Sequence, residues 1–387
     1  MVCDQMNSRG REGVAAYASA CVKDANMATS DDTPAPDAPD APDATEATEA
    51  TDWRAALTPP RVDRLGALTA TARVMRAARL VSLDLAAIAT LAERWATAPW
   101  PAASATLEAL HVPGAPERAP NWTLLLDALN FCFWGEPGKP RWRVTWHGAS
   151  HDGYDALAAA LSRAVEVGLP VWDAEWLANL EAETLERILR PDAGCPMIPL
   201  FAERLTNARE VGRVLRGRYE GQFANVVEDA EYDAVTLALT LEREFSSFAD
   251  VAEWEGQPVP FLKRAQICVA DLRAITGGVG ASDIHGIERL TAFADYKLPQ
   301  LLRRFGAITY APELAAQVDS YTLIPAGSPA EVEIRSATLW AVELLRRELA
   351  RRGVSRTASE IDYRLWSESQ TRAPDERPYH RTRTIYY

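Results

Sequence analysis

From Trp53 onward, apolar side chains recur every three or four positions, the spacing that lays one stripe along a helix. VDRLGALTATARVMRAARLV and LDLAAIATLAERWA show it first. Residues 128–147 break the period. There ALNFCFW and RWRVTWHG alternate apolar and polar around the turn-rich link GEPGKP, which predicts a β-hairpin, with room for one more short strand. Helical spacing returns in YDALAAALSRAVEVG, ETLERILR, IPLFAERLTNAREVGRVLRGRY, YDAVTLALTLEREF, FLKRAQICVADLRAIT, ERLTAFADYKLPQLLRRFG and EVEIRSATLWAVELLRREL. Gly168, Gly306 and Gly353 follow such stretches and suit helix C-caps. No long linker interrupts residues 53–387. The pattern predicts one compact, mostly α domain with a small β-hairpin element; two lobes flanking a cleft are the alternative.

Residues 1–52 read differently. Their A-P-D and A-T-E repeats hold no aromatic side chain between positions 31 and 52, and that stretch carries eight acids and no base. Such a segment cannot bury enough surface to offset its ordering entropy, so a disordered acidic tail is expected. The tail also accounts for most of the net charge of −13, leaving the remainder near −5. A body of that charge is a poor match for a long phosphate backbone, so no nucleic-acid partner is expected, although a pocket for one phosphate fits. No apolar run is long enough to span a membrane, and no apolar leader opens the chain. Five scattered cysteines without a C-x-x-C pair suggest reduced thiols and a cytoplasmic location. Five histidines without H-E-x-x-H give no metal site, and no cofactor is expected.

Four stretches carry candidate chemistry. FADYKL and IDYRLW each set an aspartate, Asp295 and Asp362, before a Tyr-basic-Leu run and among bulky apolar residues. A partly desolvated carboxylate needs a partner or a task. In DALNFCFW, Phe131, Phe133 and Trp134 lie beside Asp127 and Asn130; they form either a packed hairpin or a wall on which a flat heterocycle stacks. In FLKRAQICVADLRAITGGVG, Lys263, Arg264 and Asp271 sit on a helix that glycines 277, 278 and 280 end, a helix–hairpin–helix pattern or a plain turn. The stretch PYHRTRTIYY is too aromatic for a frayed end and is expected to dock on the body.

NWTLLLDALNFCFWGE, FLKRAQICVADL, LTAFADYKLPQLL, VEIRSATLWAVELL and HRTRTIYY, in that order, resemble the queuosine salvage family, the queuosine 5′-phosphate N-glycosylase/hydrolases. The resemblance covers nearly all of residues 53–387. It implies a helical fold similar to helix–hairpin–helix DNA glycosylases. It also implies hydrolysis of queuosine 5′-monophosphate, a small-molecule substrate, to queuine and ribose 5-phosphate; a monomer is expected. Cleaving that bond builds positive charge on the ribose, which a carboxylate beneath C1′ stabilises. Queuine is a 7-deazaguanine, so protonating N7 cannot ease its departure, and more of the work falls on the sugar-side anion.

By the resemblance, Asp362 is the catalytic acid, as nucleophile or transition-state stabiliser. Phe293, Asp295, Tyr363 and His111 match base-binding positions. Chemistry alone would allow the two aspartates to exchange roles. Ser367 stands where family members can carry an acidic base contact, so that contact passes to its hydroxyl or to Glu368. Lys263 and Arg264 are the first choices for the 5′-phosphate, with His380, Arg381 and Arg383 behind them. Two other readings stay open: a glycosylase of polymeric nucleic acid and a non-catalytic queuine carrier.

Overall fold

A long helix, Pro329–Arg351, carries a face of buried side chains along most of its length, and the elements around the site are fastened to it. Its start is specified locally: the Ser328 hydroxyl accepts from the Glu331 N–H, and Pro329 occupies the first turn, where no N–H is needed. The computed structural model describes residues 52–101, 115–275, 278, 280–371, 373 and 376–387. The segment 1–51, including the acidic repeats, therefore lies outside the described residues, as does His111.

Fourteen α-helices are described. In chain order they are α1 Ala67–Ala77, α2 Leu85–Thr97, α3 Ala119–Ala128, α4 Gly153–Glu166, α5 Ala174–Ala178, α6 Ala182–Ile188, α7 Phe201–Arg218, α8 Phe223–Asp229, α9 Ala234–Glu244, α10 Lys263–Ile275, α11 Lys297–Arg304, α12 Pro312–Asp319, α13 Pro329–Arg351 and α14 Ala358–Ser369. The strands are β1 Val81–Leu83, β2 Arg143–Trp146, β3 Ala149–Asp152, β4 Val251–Trp254, β5 Gln257–Pro260 and β6 Ile308–Tyr310. They pair antiparallel as β1–β6, β2–β3 and β4–β5. The mostly helical reading with small β-elements holds. Among the described residues, no helix is long and apolar enough to cross a membrane.

Three local readings need correction. The hairpin exists, but its turn is His147–Gly148, with φ of 47° and 79°, not GEPGKP. A type I′ two-residue hairpin turn has positive φ at both positions, which glycine supplies readily. Residues 129–134 form no strand, because their carbonyls have other partners. The Arg204 guanidinium, buried beneath them, donates to the Leu129, Phe131 and Cys132 carbonyls. The Cys132 N–H donates to the Tyr387 carbonyl at 2.9 Å.

The second correction concerns ERLTAFADYKLPQLLRRFG, which is helical only from Lys297 to Arg304, after a single 3-10 turn at Ile287–Arg289. Asp295 sets this limit: its Oδ1 accepts from the Lys297 and Leu298 N–H groups at 2.7 and 3.0 Å and so caps α11. The third concerns the glycine-rich turn after α10. Among the described residues it leads to short 3-10 turns, with no second α-helix before α11. Gly168, Gly306 and Gly353 do adopt positive φ after their helices.

The aromatic terminal stretch is docked. Besides the Cys132–Tyr387 bond, the Ile324 N–H donates to the Arg381 carbonyl at 2.8 Å, and Arg383 stacks on Trp134 at 4.0 Å.

Candidate active site

The segment 290–296 is positioned from both sides by buried polar groups. Asp250 is the hub. Its carboxylate accepts two hydrogen bonds from Arg335 of α13, at 2.8 and 2.6 Å, and one from the Lys263 N–H at the start of α10, at 3.0 Å. The Arg335 Nε then donates to the Ala294 carbonyl at 3.1 Å. Upstream, the Gln266 carboxamide oxygen of α10 accepts from the Thr291 N–H at 2.8 Å. The backbone around Phe293 is thus tied to α10 and α13 through charged and polar bonds that water does not reach.

Because residues 290–296 are not helical, the Phe293 N–H is free of any backbone ladder. It donates to Asp362 Oδ2 at 2.7 Å. Asp362 lies on α14, whose first turn is fixed by a capping box between Thr357 and Glu360. Ile361 and Leu365 of α14 are fully buried, which holds the rotation of the helix. The two aspartates of the repeated motif, 67 positions apart in the chain, consequently line one cavity of about 780 Å³. That volume lies within the range typical of ligand sites.

Asp362 is buried, and burial drives its carboxyl well above the usual carboxylate range. The Phe293 N–H opposes that shift, Asp295 adds to it, and the Lys263 ammonium opposes it. Lys263 lines the same cavity, and burial pulls its own affinity for a proton down, while Asp295, Asp127 and Asp362 pull it up. The site is an electrostatic compromise: acidic groups share one buried cation.

Aromatic rings supply the walls. Phe293, Tyr363 and Trp366 line the cavity, the last two stacked with centroids 5.9 Å apart. Tyr154 meets Trp366 edge-on at 6.5 Å. Phe131, Phe133 and Trp134 line it as well. Asp127 does not; it is fully buried behind them, with Asn130 donating to its Oδ1 at 3.1 Å. Burial, then the neighbouring Asp271, raise the Asp127 carboxyl well above its ordinary range. Asn130 reaches the cavity instead.

Asp271 lines the cavity and accepts from the Tyr154 hydroxyl at 2.7 Å. Burial lifts it from 3.8 to about 6, against the pull of Tyr154 and Lys263. A carboxyl raised on folding stabilises the protein at low pH, and that contribution is lost as pH rises through about 6. The difference is on the order of 3 kcal/mol. Asp271→Asn, which keeps an acceptor for Tyr154, is therefore expected to raise the Tm at pH 8 and to change it little at pH 4. Thermal melts at the two pH values measure this; an equal shift at both would refute it.

The remaining sequence candidates fall elsewhere. Ser367 is not among the residues lining the cavity. Glu368 accepts from Arg364 at 3.1 Å and sits 3.7 Å from Arg94. Arg264 donates to the backbone carbonyls of Asp127, Ala128 and Ser247. His380 is buried against the Tyr387 hydroxyl, and burial, then Arg335, lower it to about 3, which keeps the ring neutral. Arg381 donates to the Gly135 carbonyl, and Arg383 reaches the Trp134 carbonyl and Glu136. Sequence reasoning missed Tyr154 and Trp366. Trp366 was within reach of it: it stands four positions after Asp362 and so shares its helix face.

The family model described as queuosine salvage protein matches residues 110–387. The chain is similar to proteins named queuosine 5′-phosphate N-glycosylase/hydrolase. That of Sphaerobacter thermophilus is 46% identical over 325 residues, covering 84% of this chain and 98% of the relative. That of Mus musculus is 37% identical over 323 residues, covering 81% and 92%. That of Schizosaccharomyces pombe is 32% identical over 255 residues, covering 64% and 73%.

Proposed function

This chain belongs to the queuosine salvage protein family, and we propose that it hydrolyses the N-glycosidic bond of queuosine 5′-monophosphate, releasing queuine and ribose 5-phosphate. The observation that carries the reading is the Phe293 N–H bond to Asp362, which sets that carboxyl and the Phe293–Asp295 segment in one aromatic cavity. As the bond from C1′ to the base stretches, its electron pair leaves with the base and positive charge grows on the ribose. Ionised Asp362 stabilises that charge and orients the water whose oxygen joins C1′; the water's remaining proton balances the departing base. Lys263 favours the ionised form of Asp362 and faces the substrate beside it.

Phe293 and Tyr363 hold the flat base. Asp295 presents Oδ2, since its Oδ1 is taken by the α11 cap. Queuine's secondary amine, cationic at neutral pH, suits such an acidic chamber. Ser367 and His111 keep their base-binding assignment by family resemblance alone. The protein acts as a cytoplasmic monomer without a nucleic-acid partner in this reading.

Incubating the purified protein with queuosine 5′-monophosphate should yield free queuine by mass spectrometry. Absence of free base after long incubation would sink the hydrolase reading, and tight queuine binding without turnover would make the protein a carrier.

A further inference from the structure

Among the described residues, four lysine or arginine side chains line the cavity: Arg141, Lys263, Arg273 and Lys297. Two of them are already engaged. Lys263 faces the carboxyls of Asp295, Asp127 and Asp362, and Arg273 donates to the Ile284 carbonyl. Arg141 and Lys297 are different. Neither forms an ion pair with a carboxylate among the described residues. Both rest on one ring: the Arg141 Nη2 donates to the Tyr379 hydroxyl at 3.3 Å, and the Lys297 Nζ lies 5.7 Å from the centre of the Tyr379 ring. Tyr379 in turn meets Tyr296 at 4.8 Å.

The acids whose charge acts on Lys297 are Asp295, Glu376 and Asp152. Each is occupied. Asp295 caps α11, Glu376 pairs with Arg304 at 3.0 Å, and Asp152 pairs with Arg143 at 3.4 Å. After burial, the neighbouring Arg141 weakens the hold of Lys297 on its proton more than any one of these acids strengthens it, so two like charges without a direct ion pair raise the energy of the empty site. A dianion between them relieves it. Arginine offers a planar fork to phosphate oxygens and lysine a compact point charge, a pairing suited to one phosphate group.

Placement agrees with the chemistry. Lys297 is four residues after Phe293, whose N–H holds Asp362, so their Cα atoms are at most about 14 Å apart. Exposure also rises along the cavity: Lys263 and Asp362 are buried, Lys297 is half-buried and Arg141 is exposed. The sugar and base therefore belong deep in the cavity, and the phosphate at its mouth.

We propose that Arg141 and Lys297, braced on Tyr379, form the subsite for the substrate's 5′-phosphate. This replaces Lys263 and Arg264 in that role and rests on the hydrolase reading above. The test compares kcat/KM for queuosine 5′-monophosphate with kcat/KM for unphosphorylated queuosine in the wild type, Arg141→Ala, Lys297→Met and the double variant. Each single substitution should shrink the preference for the phosphorylated compound by about tenfold to a hundredfold. Arg141→Lys should restore part of it. An undiminished preference, or an equal loss on both compounds, overturns the subsite.

If the wild type releases no base from either compound, the hydrolase reading falls, and the subsite is then judged by binding alone. Affinity for ribose 5-phosphate, measured by calorimetry, should drop at least about tenfold in the double variant. An unchanged affinity overturns the proposal.

Discussion

Replacing Asp362 with asparagine is expected to lower kcat for queuine release by about a hundredfold to a thousandfold, the loss typical of removing one preorganised electrostatic group. The substitution nearly preserves shape. An asparagine oxygen can still accept from the Phe293 N–H, which now donates to Asp362 Oδ2 at 2.7 Å, so the backbone of the Phe293–Asp295 segment should stay in place. What disappears is the negative charge that the proposed mechanism sets against the growing charge on the ribose. Queuine affinity should change far less than kcat.

The same variant should be more stable than the wild type at pH 8. Burial holds the Asp362 carboxyl well above the usual range, so its stabilising contribution is present at low pH and is lost as it ionises with rising pH. Asparagine has no such loss, and the advantage should vanish in acid. Lower activity together with a higher Tm at alkaline pH is the signature of a group kept for function. An Asn variant with near wild-type kcat would remove Asp362 from the chemistry.

Arg335→Met is expected to destabilise the fold by about 3–5 kcal/mol, because it leaves buried acids without their cation. Arg335 is buried, binds Asp250 through both terminal nitrogens, and lies 3.5 Å from Glu331. Its ring contacts, 4.0 Å over Phe261 and 4.5 Å over Tyr387, would survive in part with methionine. The charge would not. Adding Asp250→Asn should recover part of the loss by removing the stranded carboxylate while keeping an acceptor for the Lys263 N–H. Urea unfolding of the single and double variants measures both. A single variant within about 1 kcal/mol of the wild type would show that the network is not what holds Asp250 in place. Because Arg335 also binds the Ala294 carbonyl, the single variant should lose activity as well as stability.

The helices were legible because burying one face demands a period that the sequence must display. α4 and α13 are the clearest cases. The failures have a common cause. The stretch from Leu129 to Trp134 alternates like a strand, yet its partners are a distant guanidinium and the chain near Tyr387, which no local pattern encodes. FADYKL has helical spacing, yet Asp295 turns it into a cap and leaves the Phe293 N–H for Asp362. The basic residue of that motif, Lys297, was visible as a charge, but that it forms no direct ion pair among the described residues was not.

The sequence by itself determined many of the amphipathic helical segments, which residue types could carry charge into an apolar setting, and, through several ordered segments, the family. These are properties of local period and residue chemistry, and they survive without coordinates. Only the tertiary structure decided that Asp295 and Asp362 share a cavity, that Arg264 serves the backbone and that Arg141 joins Lys297 at the mouth. Those outcomes depend on which distant groups satisfy each buried donor and acceptor, and that accounting closes only when the whole chain is folded.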